Sequence, residues 1–272
     1  MDFASRISVT CFVASYAVSL GGELVRIFRQ SRWARWVATG GALAGIFAQT
    51  LYLLAIGLDW GRLPINSQFT TLITVSWLIS LIYIYLLLHD RRLVAGIFIL
   101  PVSIGLCLYA ATLSPRGTPQ QGEGNRLIGV THGILLLVGT ALVIIAFVAA
   151  LMYLVKYRQL KSGRIRSSLR LPSLEKIDRM HGTVVYLAWP LLTLGIGLGL
   201  SLRQLHLLDP KVLTTILAWG VFTFLVHCRY RPENRGRKLA LLTIVAFVVV
   251  LVSVLGDPIF GTGHQPLLEA AP

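Results

Sequence analysis

The chain has 272 residues, 55% of them apolar and 13% charged, and its mean hydropathy is +0.73. A soluble domain carries about a quarter charged residues, so a soluble globular enzyme and a disordered chain are both excluded. A net charge of +14 and a pI near 10.4 would suit a nucleic-acid binder, but Lys and Arg also collect on the cytoplasmic side of membrane spans.

A helix needs about 20 apolar residues to cross a bilayer core about 30 Å thick. Eight such runs follow one another, at about 5–25, 36–58, 69–88, 93–112, 129–155, 180–202, 212–228 and 239–256. The first is too long for the apolar core of a signal peptide, and Arg26, Arg29, Arg32 and Arg35 follow it instead of a cleavage site. It is expected to be a retained span. Pro101 and Pro190 interrupt the fourth and sixth runs, which membrane helices tolerate where neighbours satisfy the freed carbonyls. No run alternates with period two, which argues against an outer-membrane barrel. The expected fold is all-α: a polytopic membrane protein of eight transmembrane helices forming one integral membrane domain over 1–272. No internal repeat is evident, and the longest stretches between spans are 113–128 and 156–179.

The basic residues fall on one side. Connections after spans 1, 3, 5 and 7 hold nineteen of the 25, eight of them between Lys156 and Arg179. Arg6, Arg62, Arg116, Arg126, Arg203 and Lys211 lie opposite. The positive-inside rule then puts both termini outside the cytoplasm, and the 156–179 loop reads as a cytoplasmic segment beside anionic lipid. Topology accounts for the pI without nucleic acid.

Carboxylates fall near span ends or in loops, so a coupled transporter gains no support. The three cysteines are far apart and form no CxxC pair. HExxH, GxSxG and phosphate-cradling glycine motifs are absent. Histidine is the informative residue. His132, His206 and His264 fall on the outer side, whereas His89, His181 and His227 fall at cytoplasmic span ends. Neutral imidazole ligates haem iron, zinc or copper. His132 opens a run long enough to protrude, and His264 follows Gly261-Thr-Gly just after the last span. Two such imidazoles would hold a planar macrocycle across the bundle mouth, with Arg126 and Arg203 available to its carboxylates. Zinc would need a third ligand such as His206 or Asp209. The plainer reading makes both outer histidines solvated polar residues, His227 a snorkelling residue, and the glycines at 195, 197 and 199 a helix-packing row.

These residues together resemble the cytochrome c assembly family of haem-handling membrane proteins, the relatives of CcsA, CcmC and HemX. The resemblance is strongest over 127–265. It runs from His132 through Leu191-Leu-Thr-Leu-Gly195-Ile-Gly197, Asp209-Pro210-Lys211, Ala218-Trp219 and His227-Cys-Arg229. Arg235-Gly236-Arg237-Lys238 and Gly261-Thr-Gly-His264 complete it. It implies that His132 and His264 are axial ligands of a haem b presented at the outer face of a bacterial inner membrane. His227 corresponds to a ligand of the family's transmembrane haem site. Haem, apocytochrome c and other cytochrome c biogenesis membrane proteins are the implied partners. The family's tryptophan-rich motif would fall between Gly199 and Asp209, where this chain has no tryptophan, and Arg62 stands near where synthetase members have a partner histidine. Those departures liken the chain to the HemX-like and YpjD-like members. They also keep open a second function, a haem-free scaffold that sets the level or assembly of a partner enzyme. No independent catalytic activity is expected, and small-molecule transport ranks last.

Overall fold

The computed structural model describes residues 9–28, 31–61, 63–65, 67–89, 95–113, 126–162, 171–202, 210–231 and 236–255. They form eight helices: α1 (Val9–Phe28), α2 (Arg32–Trp60), α3 (Gln68–His89), α4 (Gly96–Ala111), α5 (Arg126–Lys161), α6 (Leu174–Leu202), α7 (Pro210–Tyr230) and α8 (Arg237–Leu255). No strand occurs among the described residues. Seven of the helices are long and apolar enough to cross a membrane, and α4 is a shorter apolar helix of 16 residues. The chain is a multi-pass membrane protein. Pro101 and Pro190 sit inside α4 and α6, which continue past them. Helix α2 stops at Gly61, whose φ of 59° lets its N–H turn back to the carbonyls of Gly57 and Leu58.

The helices pack as two four-membered rings. In the first, α1 adjoins α2 and α4, and α3 adjoins the same two; in the second, α5 adjoins α6 and α8, and α7 adjoins both. Helices α3 and α4 meet α5 to join the rings. The rings share more than their order. Helices α2 and α6 have 29 residues each and begin 142 residues apart, at Arg32 and Leu174. Helices α3 and α7 also begin 142 apart, at Gln68 and Pro210. Trp77 of α3 donates to Thr50 Oγ1 of α2 at 2.9 Å, and Trp219 of α7 donates to Thr193 Oγ1 of α6 at 3.0 Å. The adjacency of the helices and these bonds thus recur between the two rings, whereas α1 and α5 differ in length, at 20 and 36 residues. Sequence conceals this recurrence because lipid-facing positions accept almost any apolar side chain, leaving length and a few hydrogen bonds to carry the pattern.

In the first ring the interior is partly polar. Tyr16 Oη donates to Gln49 Oε1, and Ser76 Oγ lies 3.1 Å from Cys107 Sγ. Ser80 and Ser103 pair at 2.8 Å. All six side chains are buried, and such bonds between helices help hold membrane bundles together. Farther along α1, buried Glu23 accepts from Arg26 at 2.5 Å and from Tyr83 of α3 at 2.8 Å. Arg26, expected in a basic connection, instead closes the last turn of α1 as the partner of Glu23.

Candidate functional site: an imidazole at the bundle mouth

The odd-numbered helices begin, and the even-numbered ones finish, at the end of the bundle called here the mouth. Helix α5 has 36 residues, about 54 Å at 1.5 Å per residue, so it extends well beyond a core about 30 Å thick. His132 lies in its second turn and is half-buried. Its Nδ1 is 2.6 Å from the carbonyl oxygen of Gly195 on α6. A carbonyl only accepts, so Nδ1 carries the proton, and Nε2 is left with the lone pair that a metal requires. The ring lies against Gly199, where a Cβ would come within 2.5 Å of His132 Cε1. Next to it, a Cβ on Gly133 would meet Ile65 Cδ1 at 3.0 Å, which brings the segment between α2 and α3 against α5 at this level.

Helix α8 finishes at the same end, beside α5. Gln68 Nε2 of α3 donates to the Val254 carbonyl at 3.1 Å, and Tyr109 Oη of α4 donates to that of Leu255 at 3.2 Å. The last carbonyls of a helix lack partners within it, and here the first ring supplies them. These contacts fix where α8 ends. His264 comes nine residues after Leu255, within about 30 Å of extended chain. His264 itself lies outside the described residues, as do His206, Arg203, Asp209 and Arg62; of Arg126 the backbone alone is described. Trp189 and Trp219 donate to Thr223 and Thr193, clasping α6 to α7.

His227 is not brought to the mouth. It is exposed near the far end of α7, seventeen residues and about 26 Å of helix rise from Pro210, so one iron cannot take both His132 and His227. His89 is also exposed at that far end and stacks on Tyr85, with ring centroids 5.6 Å apart. His181 is buried in a network that the sequence did not reveal. Arg229 of α7 donates to His181 Nδ1 at 3.0 Å, and His181 Nε2 donates to Thr243 Oγ1 of α8 at 2.9 Å. Thr243 Oγ1 in turn donates a hydrogen bond to the Leu239 carbonyl at 2.8 Å. Arg229 also reaches Asp178 Oδ1 at 3.3 Å, Oδ2 at 3.2 Å and its carbonyl at 2.6 Å. Gly182 makes room for the guanidinium, since a Cβ there would be 2.2 Å from Nη2. With both nitrogens engaged, His181 is a fastener between α6, α7 and α8. Among the described residues, no three His, Cys, Asp or Glu side chains gather as a metal site.

Comparison with known proteins places this arrangement. The model of the cytochrome c assembly protein family matches residues 65–263. Protein HemX of Brevibacillus brevis is 27% identical over 79% of this chain and 82% of its own. The cytochrome c biogenesis protein CcsA of Microcystis aeruginosa is 25% identical, over 83% and 85%. CcsA of Porphyra purpurea is 20% identical, over 82% and 85%. No solved structure matches. A family model that spans most of the chain, together with relatives matched over most of their lengths, makes this chain a member of the cytochrome c assembly protein family.

Proposed function

We propose that the protein binds haem b at the outer mouth of its bundle and assists cytochrome c maturation or haem handling there. One observation supports this above the others. His132 presents an Nε2 that has no partner among the described residues, at the end where α8 finishes, nine residues before His264. In this reading the two imidazoles are the axial ligands, and Arg126 and Arg203 pair with the propionates. The membrane is a bacterial inner membrane and both termini are outside, in keeping with the bias of basic residues toward the opposite end. Any catalytic part is indirect: bound haem supplies vinyl groups for thiols of apocytochrome c, and the chain holds it in place. Other biogenesis membrane proteins are its partners. His227, exposed near the other end of α7, corresponds by resemblance to a ligand of the family's transmembrane haem site.

The test is purification in mild detergent followed by optical spectra with and without haemin. The reading predicts a histidine-ligated Soret band that is lost in the His132→Ala, His264→Ala double variant. No such band, or one indifferent to both substitutions, refutes it. The lack of tryptophan between Gly199 and Asp209 favours the second reading, a haem-free scaffold for a partner enzyme. That reading predicts that a deletion phenotype is fully complemented by the double variant.

A further inference from the structure

The glycines of α6 are not equivalent. A Cβ on Gly195 would meet Leu136 Cδ2 at 2.8 Å and Cγ at 3.1 Å and Leu135 Cβ at 3.4 Å, all on α5, and the Leu136 side chain would have to give way. A Cβ on Gly197 would meet nothing within 4 Å. A Cβ on Gly199 would meet three atoms of the His132 ring: Cε1 at 2.5 Å, Nδ1 at 2.9 Å and Nε2 at 3.4 Å. Gly195 and Gly199 are one helical turn apart, so they lie on the face of α6 that receives α5. The carbonyl of the first accepts the hydrogen bond from imidazole Nδ1–H, and the missing side chain of the second admits the ring.

From this we infer that Gly195 and Gly199 are positioning residues for His132, fixing both its tautomer and its ring orientation so that Nε2 is the one nitrogen offered to a metal. The inference deepens the haem reading and, for its haem-binding consequence, rests on it. The backbone carbonyl is a partner that no side-chain replacement removes, so the tautomer is insensitive to most substitutions on α6. Space is the sensitive element. An alanine at 199 collides with the ring itself, and the ring must rotate away from Gly195 or α5 must move out. An alanine at 195 leaves both the carbonyl and the ring's space in place. An alanine at 197 changes neither.

The experiment is a glycine series, Gly195→Ala, Gly197→Ala and Gly199→Ala, in the full chain in detergent micelles. Histidine side chains carry nitrogen-15, and haemin titrations accompany the spectra. In apo protein the expected His132 resonances are those of the Nδ1–H tautomer in wild type, Gly195→Ala and Gly197→Ala, with loss of that signature in Gly199→Ala. With haemin, Gly199→Ala should bind about tenfold or more weakly, as loss of a group that orients a ligand does. It should also show a five-coordinate spectrum that added imidazole returns to six-coordinate. A Nε2–H tautomer in wild type overturns the inference whether or not haem binds. So does a Gly199→Ala protein with the wild-type tautomer and spectrum, or a series in which all three alanines act alike. Failure of wild type to bind haemin while the tautomer shift in Gly199→Ala persists removes the haem reading and leaves the positioning intact.

Discussion

Replacing Arg229 with methionine removes the hub of the network at the basic end while keeping most of the side-chain volume. The guanidinium is nearly enclosed, with 8% of its side chain accessible, against 32% for Asp178. Taking one partner from a buried ion pair costs about 3–5 kcal/mol. Water already reaches Asp178, so roughly 2 kcal/mol is the reasonable share here. His181 Nδ1 then loses its donor in a buried site, which adds about 1 kcal/mol. The expected loss is therefore about 3 kcal/mol, read by reversible unfolding in mixed micelles. A cycle with His181→Leu separates the parts: the double variant should be at least about 0.5 kcal/mol more stable than the two single losses would sum to, since the residues share a bond. A loss below about 0.5 kcal/mol for Arg229→Met, the range of ordinary surface changes, would refute the argument that this network fastens α6, α7 and α8. Strict additivity in the cycle would refute the Arg229–His181 bond.

Other expectations follow from single contacts. A Cβ on Gly41 would lie 2.9 Å from both the Ser15 carbonyl and the Ser19 amide, whereas one on Gly40 would meet nothing. Gly41→Ala should thus destabilise by about 1–3 kcal/mol through forced separation of α1 and α2, and Gly40→Ala should leave unfolding unchanged. Gln68→Leu with Tyr109→Phe should speed hydrogen exchange over the last turn of α8, because two terminal carbonyls lose their donors; unchanged exchange there would mean the caps are dispensable. A membrane-permeant maleimide should label exposed Cys11 in the folded protein, and reach buried Cys107 and Cys228 only after denaturation.

Hydropathy located all eight helices, seven of them long enough to cross a bilayer and the run expected at 93–112 appearing as the shorter α4 (Gly96–Ala111). It misjudged their ends. The run expected at 180–202 is a helix from Leu174, and that at 129–155 extends over Arg126–Lys161. Backbone hydrogen bonding continues into water where polar residues such as Glu175 and Arg158 cease to count as apolar. His132 was legible as an imidazole near the start of its helix, but its tautomer was not, since that depends on a carbonyl 63 residues away. The glycine row was read as packing; Gly195 and Gly199 stand four apart, the spacing of close helix contact, yet nothing in the sequence said that the contact was a histidine. The sequence placed His181 only at a span end, because its partners, Arg229 and Thr243, are 48 and 62 residues distant and on different helices. Resemblance rather than spacing singled out His227, and the fold separates it from the mouth.

In the proposed function, His132 Nε2 and an imidazole from the C-terminal segment share one iron. The most direct measurement is an experimental structure of the haemin-loaded protein in a lipid nanodisc. The account predicts iron at about 2 Å from His132 Nε2, with Nδ1 still on the Gly195 carbonyl and His264 on the opposite axial side. Haem bound elsewhere, or at the mouth with the His132 ring still beside Gly199 and uncoordinated, would contradict it.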